Sequence, residues 1–130
     1  NYLYFGDNLD ILRQYVPDES VDLVYLDPPF KSDADYNVLF KTKSGEDSPE
    51  QIRAFTDTWR WDQAAAQAYD EVVYGSAWRE RQDRPARALE ALRGILGEGD
   101  MLAYLAFMSV RLSERQRVLR TKGSIYLHCD

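Results

Sequence analysis

The run Val21-Asp22-Leu23-Val24-Tyr25-Leu26, apolar except for Asp22, leads straight into Asp27-Pro28-Pro29-Phe30. Its length and β-branched and aromatic content predict a buried strand. The two prolines carry no N–H and cannot extend a sheet ladder, so the strand must stop there with a carboxylate at its carboxyl end. Upstream, Tyr2 to Phe5 reads as a short strand closed by Gly6-Asp7-Asn8. Leu9, Ile11, Leu12 and Val16 then recur at near-helical spacing until Pro17-Asp18. Strand, helix and strand in succession make a βαβ unit. The expected class is therefore α/β, with a mostly parallel sheet and helices packed on it. In such sheets ligands bind beyond the carboxyl ends of the strands, where Asp27 is expected.

Lys31 to Pro49 is polar, and residues 31–62 are expected to form a mobile loop or insertion. Asp62 is placed to cap a helix running to about Val73. Pro85 opens another, with Ala88, Leu89, Leu92, Ile95 and Leu96 on one face and Gly97 or Gly99 at its end. Asp100 should cap the longest helix, Met101 to about Arg120. Its apolar first half is expected in the core, and its second half, with Arg111, Glu114, Arg115 and Arg117, in solvent. Thr121-Lys122-Gly123 then reads as a turn into a last strand, Ser124 to His128.

The chain has 130 residues and a formal net charge of −6. That length suits one domain. An acidic balance argues against non-specific binding to phosphate backbones, which depends on Lys and Arg. One cysteine excludes a disulfide scaffold, and one histidine excludes a Cys/His zinc cluster, so no metal site is expected. No apolar run reaches the roughly 18 residues of a membrane span, and the first residues lack a basic signal-peptide region. A reducing, cytoplasmic setting follows as the default. Both ends, at Asn1 and Asp130, fall on expected strands, so residues 1–130 are read as a fragment of a larger domain. A sheet cut in this way would expose apolar edges, and self-association or a homo-oligomer is expected.

The Asp-Pro-Pro-Phe segment suits one kind of chemistry. The exocyclic amine of a nucleobase is a poor nucleophile, because its lone pair is delocalised into the ring. Two acceptors aimed at its two N–H groups would draw the nitrogen toward tetrahedral geometry and localise that pair. The Asp27 carboxylate and the Pro28 carbonyl can act so, in a loop stiffened by Pro28 and Pro29. Phe30 can stack on a base flipped out of its helix. The bland alternative is a strand ending in a proline turn, with Phe30 in the core.

This segment resembles the catalytic motif of S-adenosylmethionine-dependent DNA amino-methyltransferases, which modify adenine N6 or cytosine N4. The resemblance extends to Tyr4-Phe5-Gly6-Asp7-Asn8-Leu9-Asp10, to Phe55-Thr56-Asp57-Thr58-Trp59-Arg60-Trp61-Asp62, and to Gly123-Ser124-Ile125-Tyr126-Leu127-His128-Cys129-Asp130. The latter two are similar to segments of the bacterial branch in which the catalytic motif precedes the cofactor glycine motif. The resemblance implies a partial Rossmann-like sheet, catalytic roles for Asp27, Pro28, Pro29 and Phe30, and cofactor contact by Asp7, which by itself reads equally as closing the first strand in an Asx-type turn. It also implies DNA as partner and a place in restriction-modification. Lys31, next to the motif, is the candidate for a phosphate contact.

The chain departs from the family in lacking a Phe-x-Gly-x-Gly loop. Gly94, Gly97 and Gly99 are read as helix-end glycines instead. The glycine motif and the target-recognition region would both follow Asp130 in this branch, so the fragment alone is expected to be inactive. Phe at the last motif position leaves cytosine N4 open beside adenine N6. Two rivals stand: an RNA base methyltransferase, with its glycine motif before Asn1, and a non-catalytic α/β scaffold module. Trp59 and Trp61 are read as core in preference to base stacking. Arg79, Arg81, Arg84 and Arg87 are read as a solvated helix face, Cys129 as a buried apolar residue, and His128 as structural as readily as pocket-lining.

Overall fold

The computed structural model describes residues 1–28, 59–75 and 84–128. Four helices and two strands occur among them: α1 Asn8–Tyr15, β1 Val21–Leu26, α2 Gln63–Tyr74, α3 Arg84–Leu96, α4 Asp100–Val118 and β2 Leu119–Leu127. β1 and β2 pair in parallel, from Leu23↔Ser124 through Leu26↔Leu127. The architecture is a small α/β arrangement with one parallel strand pair, in keeping with the expected class, but β1 pairs with β2 and not with a strand at Tyr2 to Phe5, so the expected βαβ unit is not formed.

Local chemistry explains the helix boundaries. Asp62 caps α2, its carboxylate accepting from the Ala65 N–H at 2.9 Å. α3 ends at Leu96, where Gly97 takes φ 70° and its N–H returns to the Arg93 carbonyl at 3.0 Å. That left-handed conformation favours glycine, so Gly97 is the helix-end glycine. Gly99, by contrast, sits at the N-cap of α4 and Gly94 lies inside α3. Asp100 is therefore the first residue of α4 rather than its cap, a shift of one position.

The core lies where α2, α3 and α4 meet. Tyr69, Val72 and Val73 pack with Leu89 and with Leu102, Ala106 and Val110, and Leu9, Trp61 and Leu92 border them. Trp59 lies against Tyr104 and Phe107, and Trp61 lies edge-on to Tyr69, in keeping with a packing role for both. The expected apolar face of α3 is shorter than its pattern: Leu89 is buried and Leu92 half-buried, but Ala88, Ile95 and Leu96 are exposed.

Several expectations are corrected. Tyr2 to Phe5 forms no strand; Leu3 is 99% exposed, and Tyr2, Tyr4 and Tyr15 stack in a row. A strand exists only through a partner, and these aromatics find each other and α1 instead. β1 is not uniformly buried either. Leu26 is buried, while Leu23 and Tyr25 are exposed, as are Ile125, Tyr126 and Leu127 of β2. A parallel pair needs cover on both faces, and this one lacks it over much of its length.

The second half of α4 does not emerge into solvent. Arg115 is only 6% exposed, and Arg111, Glu114 and Arg117 are largely covered. Their charges meet partners that no helical periodicity reveals. Arg111 donates to Asp7 Oδ2 at 2.6 Å and to Asn8 Oδ1 at 3.0 Å, at the start of α1. Arg117 donates to the carbonyls of Leu12 at 2.8 Å and Val16 at 3.1 Å, at the end of α1, and pairs with Asp18 and Glu114. A cation there meets two carbonyls at the helix end, that of Leu12 also accepting from the Val16 N–H at 3.3 Å, and opposes the negative end of the helix dipole. α4 thus clasps α1 at both ends.

α4 stops at Val118 rather than near Arg120, and β2 starts at once. Thr121-Lys122-Gly123, expected as a turn, is an irregularity within β2. Between Val21↔Leu119 and Leu23↔Ser124, β1 has Asp22 alone where β2 has Arg120 to Gly123. A Cβ on Gly123 would lie 2.7 Å from Leu119 Cδ1 and 3.0 Å from the Arg120 carbonyl, which explains a residue without a side chain. The bulge turns Arg120 to meet both oxygens of Asp22 at 2.8 Å. That pairing accounts for a charge inside an apolar strand.

Candidate site at the carboxyl edge of the strand pair

β1 ends at Leu26 because Pro28 cannot continue the ladder. One more bond joins the strands past that point: the His128 N–H donates to the Leu26 carbonyl at 2.9 Å. The register therefore sets Asp27 and His128 side by side at the carboxyl edge. His128 Nδ1 lies 2.9 Å from Asp27 Oδ1. Both side chains face outward, at 62% and 59% exposure, so the edge presents a carboxylate and an imidazole to an incoming molecule. Asp27 Oδ2 makes no hydrogen bond among the described residues. Pro28, next in sequence, is half-buried.

Pro29, Phe30 and Lys31 lie outside the described residues, as do residues 31–58 of the expected loop, Arg79 and Arg81 of the basic cluster, and Cys129. Arg84 and Arg87 are exposed on α3.

Asp7 has two structural tasks. Its Oδ1 accepts from the Leu9 N–H at 2.8 Å as the N-cap of α1, and its Oδ2 holds Arg111. Each carboxylate oxygen has capacity for a second hydrogen bond, and the side chain is half-exposed, so Asp7 can also accept from a ligand. Behind it lies Arg115, whose buried Nη1 has no hydrogen-bond partner. Burial, and then the neighbouring Arg111 charge, pull its guanidinium down to about 10, against a smaller opposing effect of Asp7. Arg117 behaves oppositely: hydrogen bonds to Glu114 and Asp18 raise its proton affinity. Among the described residues, no three His, Cys, Asp or Glu side chains cluster as metal ligands. No helix among them is long and apolar enough to cross a membrane.

His128 is the residue whose place sequence reasoning weighted too little. The signal was its position: it follows a strand paired in parallel with β1, at the same edge as Asp27. Arg111 and Arg115 carried no comparable signal, since their surroundings come from the first residues of the chain.

The described residues form an α/β protein that presents a carboxylate and an imidazole at the carboxyl edge of a parallel strand pair. Within that class, the chain is 26% identical over 132 residues to the Mod subunit of the type III restriction-modification enzyme StyLTI of Salmonella typhimurium strain LT2. The match takes in 100% of this chain and 16% of that subunit, so the chain spans about a sixth of its relative's length. No protein family's sequence profile matches the chain. No solved structure matches it significantly.

Proposed function

We propose that this chain is the catalytic-motif part of an S-adenosylmethionine-dependent DNA methyltransferase that modifies adenine N6, in the setting of a restriction-modification system. The observation that carries the reading is the Asp27 carboxylate, presented to solvent at the carboxyl edge of β1 with Pro28 next to it. The similarity to a Mod subunit, spread along the whole chain, supports it. The strand pair and its helices would then be part of a Rossmann-like sheet, completed by segments that correspond to the rest of the relative.

The mechanism follows from the acceptors. Asp27 Oδ2 accepts one N–H of a flipped adenine and the Pro28 carbonyl accepts the other, which localises the lone pair on nitrogen. Pro29 keeps the loop stiff, Phe30 stacks on the base, and Lys31 meets a backbone phosphate. Bound S-adenosylmethionine, with Asp7 among the residues that would hold it, supplies an electrophilic methyl group. Transfer of that methyl group would leave a surplus proton on the nitrogen, which the methylated amine would release to water. Asp27 does not remove that proton beforehand, because a carboxylate is far too weak a base for a neutral aryl amine. Methyl transfer precedes deprotonation. The reaction belongs in the cytoplasm with its DNA.

The test is methyl incorporation by the full-length protein, with the modified nucleosides identified after digestion. The wild type should yield N6-methyladenine in DNA, and Asp27→Ala should lower the rate by about 100-fold or more. Unchanged methylation by Asp27→Ala would refute the site. Product in RNA, or N4-methylcytosine in DNA, would refute the substrate.

A further inference from the structure

Asp27 needs only one oxygen to hold an amine, and the strand pair occupies the other. We infer that His128 is a positioning residue for Asp27, fixing the carboxylate so that Oδ2 points at the target nitrogen; this rests on the methyltransferase reading above.

The inference stands on the register. Parallel pairing carries through Leu26↔Leu127, and the His128 N–H continues it to the Leu26 carbonyl, so the imidazole is held from its own backbone. Its Nδ1 reaches Asp27 Oδ1 at 2.9 Å. An ionised carboxylate only accepts hydrogen bonds, so Nδ1 carries the hydrogen in this pair. A free aspartate at a strand end would rotate about χ1 and χ2 among several orientations. One hydrogen bond from a backbone-anchored ring selects among them. The pair is well exposed, and hydrogen bonds in contact with water add little to stability, so its effect is on orientation rather than on holding the fold. Placing an acceptor within a fraction of an ångström of where charge develops is what gives such groups their catalytic effect. His128 need not touch the base to contribute.

The experiment is steady-state and single-turnover kinetics of the full-length protein with His128→Ala, His128→Asn and Asp27→Ala, and the double variant Asp27→Ala/His128→Ala. His128→Ala should lower kcat on the order of 10- to 100-fold, the range associated with losing an orienting partner of a functional group. KM for DNA and for S-adenosylmethionine should stay within about twofold, since the ring is assigned no contact with either. His128→Asn, whose amide nitrogen lies near the position of Nδ1, should recover most of the rate. On the Asp27→Ala background, removing His128 should change the residual rate less than about twofold, because there is no carboxylate left to orient. A full His128 effect on that background would show a merely structural role and overturn the inference. So would a wild-type kcat in His128→Ala, or failure of His128→Asn to recover activity. Wild-type activity in Asp27→Ala is a different failure: it would remove the methyltransferase site itself.

Discussion

Arg115→Met removes a charge that the fold buries without a partner for Nη1. Burial and the nearby Arg111 bring the folded-state pKa down from the ordinary arginine value to about 10. At about 1.4 kcal/mol per pH unit, that difference corresponds to about 3 kcal/mol of destabilisation carried by the charged form at neutral pH. Methionine keeps an unbranched stem of similar reach, fills the site and needs no hydrogen bond. Some packing around the lost guanidinium is forfeited, so the expected net gain is about 1–3 kcal/mol, typical of replacing an uncompensated buried charge by an apolar side chain. Urea unfolding of this chain followed by circular dichroism should show a higher midpoint with an unchanged slope. The pH dependence has a definite sign. Below about pH 10 both folded and unfolded states hold the proton and the full penalty applies. Above about pH 10 the unfolded chain binds more protons than the folded one, so the stability of the wild type rises relative to the variant. The gap between the two proteins should therefore narrow as pH passes through about 10. A lower midpoint for Arg115→Met, or a gap that widens with alkaline pH, would refute the reasoning.

Two further substitutions probe how α4 and β2 are joined to the rest. Arg117→Ala takes a donor from the carbonyls of Leu12 and Val16, leaves Asp18 without its cation and leaves Glu114 with Arg13 at 3.6 Å. It should cost about 1–3 kcal/mol in urea unfolding and speed hydrogen exchange first in α1, and equal protection of α1 in both proteins would contradict the clasp. Gly123→Ala puts a methyl group 2.7 Å from Leu119 Cδ1 and 3.0 Å from a backbone oxygen. It should destabilise the chain by about 1–3 kcal/mol, and a neutral effect on the thermal midpoint would show that the bulge can relax.

Much of the local architecture was legible because its causes lie within a few residues. Asp62 caps the helix beginning at Gln63, Pro17 follows the end of α1, and Gly97 takes the left-handed turn after Leu96. The strand Val21–Leu26 was readable from its apolar run, and so was the placement of Asp27 at its end. The errors share a different cause. Tyr2 to Phe5 has a strand's composition but pairs with no strand among the described residues, and the charges after Met108 follow a solvent pattern yet meet α1. Periodicity reports which face of an element is apolar; it does not report which element will cover it.

The sequence by itself determined most of the helices, the strand Val21–Leu26 and its stop before Pro28, because backbone propensity, capping and proline sterics act over one or two turns. Only the tertiary structure decided that His128 would meet Asp27, that Arg111 would meet Asp7, and that Arg115 would be buried beside them. Each pairing joins residues about a hundred positions apart. The parallel register and the packing of α4 along α1 bring those charges together, and a one-residue slip in β2 would turn His128 to the opposite face of the sheet.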